Sequence, residues 1–345
     1  MIRTILTETY GIRHPIASAG MAFVGTVPLV RGVCAAGGLG VLGASGMPVE
    51  LLRAALREIK HAGHHTFGVN IIPRFNEIAH IELCVTEKIP VVVFFWDDVP
   101  PDWLTRLKQA DSKVWIQVGS VAEAQTAAQL GADALIVQGS EAGGHNRAVA
   151  ATMSLLPAVI DALNGALPVI AAGGIADGRG VAAALALGAD GVSVGTRLLA
   201  TPEAFAHEEY KRRVVAASVH DTARHNIFGP DFPDATVRGL RNRLVREWEK
   251  RDDPPPYKSQ PPGGHPVIGQ MTVYGNTMPM QRFIGLPPTP EFSGDFDEMS
   301  LLAGETVGQT NAIRPVGDIV REMMCEAEEI IAKRLPKMVP PIGGI

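Results

Sequence analysis

The residues best suited to chemistry are a histidine and the glycine-rich segment before it, QGSEAGGH at 138–145. An imidazole titrates near neutral pH, so His145 is suited to accept or donate a proton. Gly143 and Gly144 let the main chain approach a ligand closely, which predicts that His145 lies at the mouth of a site rather than within a helix or strand. A solvated surface turn is the alternative interpretation of this segment.

Two other glycine-rich turns are typical of a phosphate site. Gly173 and Gly174 follow one apolar run, and Gly195 and Thr196 end the next. Strand-to-helix turns of this kind present main-chain N–H groups and the positive end of a helix to a phosphate. Tight turns without a ligand are the alternative at each position. Arg197 is predicted either to pair with the same phosphate or to cap a surface helix.

These turns belong to a regular alternation of short apolar runs and helical segments rich in Ala and Leu. We predict eight strands, at 14–19, 39–44, 67–72, 91–96, 113–119, 132–138, 168–173 and 191–196. We predict seven helices between them, at 28–36, 48–62, 76–87, 101–110, 121–130, 153–163 and 178–187. This pattern over about 200 residues indicates an α/β fold, a (β/α)8 TIM barrel whose late strand ends bring the three loops to one rim. An open doubly wound sheet is the alternative topology.

The remaining chain predicts a cap over the barrel. We assign 1–202 to the barrel, 203–315 to a helical and Pro/Gly-rich cap or lid over the active site, and 316–345 to a C-terminal helix that returns to the barrel. Residues 205–249 are predicted to form helices with a loop at 228–233. The Pro-rich passage at 252–266 predicts an extended surface segment. Apolar residues recur at helical spacing from 316 to 334.

Composition excludes several functional classes. The net charge of −5 arises from 31 basic and 36 acidic residues without a polybasic tract, so neither nucleic acid nor a membrane surface is an expected partner. Three cysteines are too few for a disulfide framework or a zinc site, which predicts a reducing compartment. The start of the chain carries no apolar signal segment, and no run approaches the roughly 20 apolar residues of a membrane helix. We therefore expect a soluble cytoplasmic protein with a small-molecule substrate and no metal.

Three motifs together resemble the nitronate monooxygenase family, formerly called 2-nitropropane dioxygenases. They are QGSEAGGH at 138–145, PVIAAGGIADGRG at 168–180 and GADGVSVGTRLLAT at 188–201. The resemblance extends over residues 14–201 and is weaker in the cap. It implies an FMN-dependent (β/α)8 barrel. The same superfamily contains FMN-dependent enoyl-acyl carrier protein reductases and NAD(P)H:quinone reductases, so the motifs indicate the superfamily more specifically than one reaction.

The resemblance implies a role for twelve residues. It makes His145 the catalytic residue beside the flavin ring, and it implies that Gly173, Gly174, Gly195 and Thr196 hold the FMN phosphate. The other implied cofactor-binding residues are Ala19, Gly20 and Met21 under the flavin, Asn70 in a Gly-Val-Asn motif, Gln117, Gln138 and Gly143.

The sequence also departs from the family at three places. Gln117 stands where some relatives have a lysine, Ser18 stands where many have glutamine, and Asn146-Arg147 replace a basic residue followed by glycine. The resemblance implies that Gln117, in place of lysine, removes a fixed positive charge near the flavin. These departures bear on the choice of substrate.

The resemblance implies oxidation of alkyl nitronates, and of nitroalkanes, with O2 to carbonyl compounds and nitrite. In that reaction His145 either accepts the proton α to a nitro group or pairs as imidazolium with the nitronate. The alternative is an NAD(P)H-dependent FMN reductase of an enoyl thioester, enone or quinone. A flavin-free binding protein is a third class. The co-substrate is therefore O2 or NAD(P)H, and a homodimer is left open.

Several other residues have weaker predictions. Met21, Met278, Met280 and Phe283 are expected either to form an apolar wall of the site or to pack in the core. Asp97 and Asp98 are predicted to cap a helix, and Glu141 to bond to the loop main chain.

Overall fold

Eight parallel strands form the centre of the protein. The structure is a computed structural model, and it describes residues 1–229, 232, 235–251 and 264–338. The strands of this sheet are β1 (Ile16–Ser18), β2 (Val41–Gly43), β3 (Gly68–Ile71), β4 (Val91–Phe94), β5 (Lys113–Val118), β6 (Ala134–Gln138), β8 (Val169–Ala172) and β9 (Gly191–Val194). Each overlaps one predicted strand. The short β7 (Gly144–His145) lies outside this sheet.

The sheet closes on itself. Its order is β1-β9-β8-β6-β5-β4-β3-β2, so neighbours follow chain order without the reversal of an open doubly wound sheet. Ser18 N donates to Leu39 O at 3.0 Å, and Leu39 N donates to Ile16 O at 2.9 Å, which joins the first strand to the segment before β2. The predicted (β/α)8 TIM barrel is confirmed, and the open sheet is excluded.

Helices cover the outside of the barrel. They are α1 (Ile5–Tyr10), α2 (Val27–Ala35), α3 (Val49–His61), α4 (Ile78–Thr86), α5 (Pro101–Gln109), α6 (Val121–Gln129), α7 (Thr152–Leu163), α8 (Gly178–Ala186) and α9 (Thr196–Leu199). Local sequence sets several of their starts: Ser120 accepts from Glu123 N ahead of α6, and Asp177 accepts from Gly180 N ahead of α8.

The last helix, α12 (Val316–Glu329), occupies the place left by the short α9. It packs against α2 and α8. Gly178 N donates to the Glu326 carboxylate at 2.7 Å, and Val316 N donates to the Glu203 carboxylate at 3.1 Å. Its inward residues Ile319, Val320, Met323, Met324 and Ala327 are buried.

Residues 203–315, which we call the cap segment, contain two small antiparallel sheets. Their elements are α10 (Glu208–Ala216), β10 (Thr222–His225), β11 (Val237–Leu240), α11 (Arg243–Trp248), β12 (Val267–Val273), β13 (Asn276–Gln281) and β14 (Ser293–Gly294). The prediction of helices alone over 205–249 is wrong, because β10 and β11 pair with each other and with β7. Of the predicted Pro-rich excursion, 252–263 lies outside the described residues.

The amino-terminal end of the barrel is plugged. Trp115 on β5 is fully buried inside it and donates its ring N–H to the Tyr10 hydroxyl at 2.6 Å, with the two rings edge to face at 5.2 Å. This places α1 against the barrel floor. A ligand site must therefore lie at the opposite rim, where the carboxyl ends of the strands meet.

Candidate active site

A cavity of about 420 Å³ lies at the carboxyl ends of the barrel strands. This volume is within the range of small-molecule and cofactor sites. All twelve residues singled out from the sequence contribute to its wall: Ala19, Gly20, Met21, Asn70, Gln117, Gln138, Gly143, His145, Gly173, Gly174, Gly195 and Thr196. The structure therefore brings them together, and their individual roles stay predictions.

His145 lies on a strand, so its prediction as a loop residue is wrong. Gly144 and His145 form β7, in which His145 is paired with Val237 of β11. Asn146 N donates to Thr236 O at 2.9 Å and extends the pairing. The two glycines gave no strand signal, and the pairing partner lies far along the chain.

The imidazole of His145 is neutral at physiological pH. Its Nε2 atom is buried and has no hydrogen-bond partner among the described residues, while the side chain lines the cavity. Burial lowers the pKa of His145 to about 4, and the positive charge of Arg74 adds to the effect. A neutral ring with an unpartnered nitrogen at a cavity is able to accept a proton from a bound molecule.

The turn after β8 is shaped by its glycines. Gly173 has a φ of +99°, and a Cβ there would lie 3.0 Å from Thr152 Oγ1 and 3.1 Å from Ala142 N. The next residue, Gly174, also has a positive φ, +74°. Two successive positive φ values turn the main chain across the rim, where its N–H groups can meet an anion.

Arg197 does not follow either of its predicted roles. Its side chain is buried, and Nη1 donates to Ala312 O at 3.3 Å. The guanidinium is directed to the loop before α12, and Arg197 is not among the residues that line the cavity.

The cap segment closes on these turns through a close main-chain contact. A Cβ at Gly143 would lie 2.4 Å from Gly304 N, so only glycine fits at that position. Gly304 N donates to Thr196 Oγ1 at 2.9 Å, and Glu305 N donates to Glu141 O at 3.0 Å. Thr196 therefore joins the end of β9 to the cap segment as well as lining the cavity.

The centre of the site is lined by amides. Asn70 donates from Nδ2 to Val93 O at 3.2 Å, which fixes its side chain, while its buried Oδ1 has no partner among the described residues. Gln117 and Gln138 stand at the ends of β5 and β6. Ser18 has a structural role instead, since its hydroxyl accepts from Val41 N at 2.8 Å between β1 and β2.

Two side chains, those of Asn146 and Glu141, stabilise the segment that contains His145. Asn146 is fully buried and donates to Gly139 O at 2.9 Å and Ala142 O at 3.2 Å. Glu141 accepts from Thr152 N at 2.9 Å, which confirms that its carboxylate bonds to main chain. The departure at Asn146 therefore affects the loop that presents His145.

Sequence reasoning missed the aromatic wall of the site. Phe75, Phe95 and Phe232 line the cavity, and Trp96 lies edge-on to His145. A signal existed for Phe95 and Trp96, which directly follow β4. No comparable signal existed for Phe232, which comes from the cap segment.

The residues with weaker predictions have different outcomes: some line the cavity and others do not. Met21 and Met278 line the cavity, whereas Met280 and Phe283 are buried in apolar clusters of the cap segment. The prediction that Asp97 caps a helix is wrong, because its carboxylate accepts from the Arg74 guanidinium at 2.6 Å. Helix α5 begins after Pro100 without a side-chain cap.

The residues present fit a flavin nucleotide. The cavity joins an apolar aromatic wall to a glycine turn that a Cβ would crowd, and buried polar atoms without partners, Asn70 Oδ1 and His145 Nε2, lie beside it. A flat ring system with a phosphate tail needs these three surroundings together. The described residues contain no cluster of three or more His, Cys, Asp or Glu placed to hold a metal ion. None of the helices in the described ranges is long and apolar enough to cross a membrane.

Comparison with known proteins identifies the family of this chain. The sequence model of the nitronate monooxygenase family matches residues 3–81 and 74–326. A Mycobacterium tuberculosis protein named (3aS,4S,5R,7aS)-5-hydroxy-7a-methyl-1-oxo-octahydro-1H-indene-4-carboxyl-CoA dehydrogenase is 43% identical over 251 residues, 72% of this chain and 69% of the relative. A Staphylococcus aureus protein named "Probable nitronate monooxygenase" is 31% identical over 301 residues, 74% of this chain and 83% of the relative.

A solved structure agrees with these matches. FabK from Thermotoga maritima has a TM-score of 0.80 and 33% sequence identity, and the alignment covers 98% of this chain and 100% of that chain. Since the family match spans most of the sequence, and the matched structure shares the barrel together with the cap segment, the chain belongs to the nitronate monooxygenase family of flavin-dependent oxidoreductases.

Proposed function

We propose that the protein is an FMN-dependent nitronate monooxygenase that oxidises alkyl nitronates, and nitroalkanes, with O2 to carbonyl compounds and nitrite. The observation that carries the proposal is Nε2 of His145, which is buried at the cavity without a partner among the described residues. An unpaired ring nitrogen there is suited to a substrate that carries an acidic C–H bond.

The strand ends provide the groups that FMN requires. Gly173, Gly174, Gly195 and Thr196 would hold its phosphate through main-chain N–H groups. The amides of Asn70, Gln117 and Gln138 would bind the ring and ribityl chain, together with Ala19, Gly20, Met21 and Gly143. When bound, FMN supplies the electron acceptor for the substrate.

His145 acts as the base toward neutral nitroalkanes. The C–H bond α to the nitro group breaks, its electron pair stays on the substrate as the nitronate, and the proton moves to Nε2. Burial keeps the imidazole unprotonated at physiological pH, so the base form is present before substrate binds. A nitronate supplied as such does not need this step.

A second candidate is an oxidoreductase of a thioester, either a dehydrogenase or an NAD(P)H-dependent FMN reductase of an enoyl thioester. It is supported by the Mycobacterium tuberculosis relative, a carboxyl-CoA dehydrogenase by name, which at 43% is more similar than the Staphylococcus aureus protein at 31%. In a reductase His145 would donate a proton, and Gln117 would leave the flavin without the positive charge of a lysine.

The test is anaerobic reduction of the FMN-loaded protein, followed by the loss of flavin absorbance. We expect rapid reduction by alkyl nitronates and slower reduction by NADH, NADPH and an acyl-CoA thioester. Reduction by a nicotinamide or by the thioester, with nitronates inert, would replace the first candidate by the second.

The base role is tested with His145→Asn. Since a general base contributes about 10²–10⁴ in rate, reduction by neutral nitroalkanes should fall by at least about 10² while reduction by preformed nitronates falls much less. His220→Asn, on the exposed turn before β10, is the matched control. Full activity of His145→Asn toward neutral nitroalkanes would show that His145 is not the base.

A further inference from the structure

The ring of Phe232 covers one face of the His145 imidazole. The two ring centroids are 3.9 Å apart and the planes are inclined by 32°. Trp96 meets the same imidazole edge-on, at 5.6 Å and 70°, and meets Phe232 at 5.7 Å and 88°. His145, which lines the cavity, is therefore held between one aromatic face and one aromatic edge.

Phe232 also contacts Arg74 and Phe75. The guanidinium of Arg74 lies over that ring at 5.1 Å from its centroid, and Arg74 also donates to the Asp97 carboxylate at 2.6 Å. Phe75 packs edge-on against the ring at 5.0 Å. Phe232 thus contacts both a cation and the imidazole, and it is only 7% exposed.

The main chain fixes Phe232 at this place. Its N–H donates to Gly229 O at 3.1 Å, and its carbonyl accepts from Ala235 N at 3.0 Å. Both bonds anchor Phe232 between β10 and β11, and β11 is the strand that pairs with His145. Ring and imidazole are therefore positioned by the same small sheet.

We propose that Phe232 is a positioning residue for His145: its ring covers the imidazole face, excludes water from it and, with Trp96, fixes the orientation of the imidazole at the cavity wall. The inference rests on the proposed role of His145 as the proton-transferring group. It assigns a function to a residue of the cap segment that the barrel motifs do not include.

The surrounding charges agree with this role. Arg74 lies across the ring and is paired with Asp97, while Arg147 lies over Trp96 at 4.8 Å and is paired with Glu123 at 3.8 Å. On the neighbouring strands, His225 lies on the same face as His145, and Arg238 follows Val237, the residue that pairs with both histidines. No carboxylate among the described residues contacts the imidazole, and removing the ring should raise the pKa of His145 by admitting water.

The experiment is an NMR titration of the His145 ring in FMN-loaded protein, with the resonance assigned by His145→Asn. Phe232→Leu keeps an apolar side chain of similar volume but removes the aromatic face. We expect the pKa of His145 to rise by about one unit or more in this variant. Phe232→Tyr keeps the face and should keep the pKa within a few tenths of a unit of the parent value.

Two comparisons keep the result specific. Phe292→Leu removes a buried phenylalanine from another cluster of the cap segment and should leave the pKa of His145 unchanged. Arg74→Gln removes the charge and keeps the ring, and should raise the pKa less than Phe232→Leu. An unchanged pKa in Phe232→Leu, or equal shifts in Phe232→Leu and Phe232→Tyr, would overturn the proposal. Because the titration uses no substrate, a wrong substrate class does not affect it.

Discussion

At Gly173 the main chain adopts a φ of +99° directly beside Thr152 and Ala142. We predict that Gly173→Ala weakens FMN binding by at least about tenfold, because the new Cβ would push the turn out of the shape in which it meets the phosphate. The positive φ alone should also cost about 1 kcal/mol of folding stability. Flavin fluorescence titration measures the first effect and thermal unfolding the second.

The matched control is Gly165→Ala, at the end of α7. Gly165 has a similar φ of +73°, but a Cβ there would meet nothing within 4 Å. The Gly165→Ala variant should lose about as much folding stability as Gly173→Ala without losing affinity for FMN. Equal affinities of the two variants would mean that the Gly173 turn does not contact the cofactor.

At the scale of residues, the sequence predicts those site residues that stand in a recognisable motif. Gly173 and His145 stand in motifs directly after apolar strands, so their approach to a common rim follows from the barrel. Phe232 carries no such signal. Its ring lies against His145 because Phe232 stands between β10 and β11, which are paired in the cap segment, and bonds there to Gly229 and Ala235.

At the scale of elements, the sheet of β7, β11 and β10 places two histidines in one row. His145 and His225 are each paired with Val237, from opposite sides, so the three side chains lie on the same face. Both ring nitrogens of His225 are buried without a partner among the described residues. Burial first, and then Arg238 and His145, lower the pKa of His225 to about 3.

These shifts predict loss of stability in mild acid. The unfolded chain binds a proton on each histidine below its ordinary pKa of about 6.5, whereas the folded protein does not until about pH 4 for His145 and about pH 3 for His225. The stability is therefore complete above about pH 6.5 and falls as the pH decreases through this window, by up to about 1.4 kcal/mol per pH unit for each group.

Urea unfolding at several pH values measures the slope of the free energy of unfolding against pH. His225→Gln should reduce it by about the contribution of one proton. His220→Gln, on an exposed turn, should leave it as in the parent protein. A slope that is insensitive to His225→Gln would show that this imidazole does not stay neutral in the folded state.

The eight barrel strands were predictable because most of their residues are buried on both faces and their sequences are predominantly apolar runs. Such runs identify strands without knowledge of their neighbours. By contrast, β7 contains Gly and His, and β10 and β11 carry arginines at Arg224 and Arg238 without a clear alternation. Those strands form because each completes the hydrogen bonds of another, and a single segment does not reveal that pairing.

At the scale of the whole molecule, Arg238 joins the cap segment to the barrel loops. Its Nε donates to Ser140 O at 2.9 Å, and Nη1 pairs with the Glu305 carboxylate at 3.1 Å. The arginine side chain is only 12% exposed, so water cannot readily replace these partners. We predict that Arg238→Met accelerates FMN dissociation severalfold and speeds proteolysis of the cap segment, because Gly304 is then less firmly held on Thr196.

The control is Arg243→Met. Arg243 pairs with Asp295 at 2.6 Å and Glu298 at 2.9 Å, all within the cap segment. Its loss should weaken that segment without changing the rate of FMN release. Stopped-flow recovery of flavin fluorescence, with limited proteolysis in parallel, separates the two variants. Equal release rates would indicate that the link through Arg238 does not retain the cofactor.

The position of α12 has a consequence for synthesis on the ribosome. The eight barrel strands are complete at Val194, yet the groove between α2 and α8 is covered by a helix that ends at Glu329. The strand that pairs with His145 is likewise made after the barrel. Since chains emerge from the amino terminus first, the nascent barrel exposes an apolar groove for the time needed to add more than a hundred residues. We therefore expect this groove to be the surface that a chaperone meets during translation.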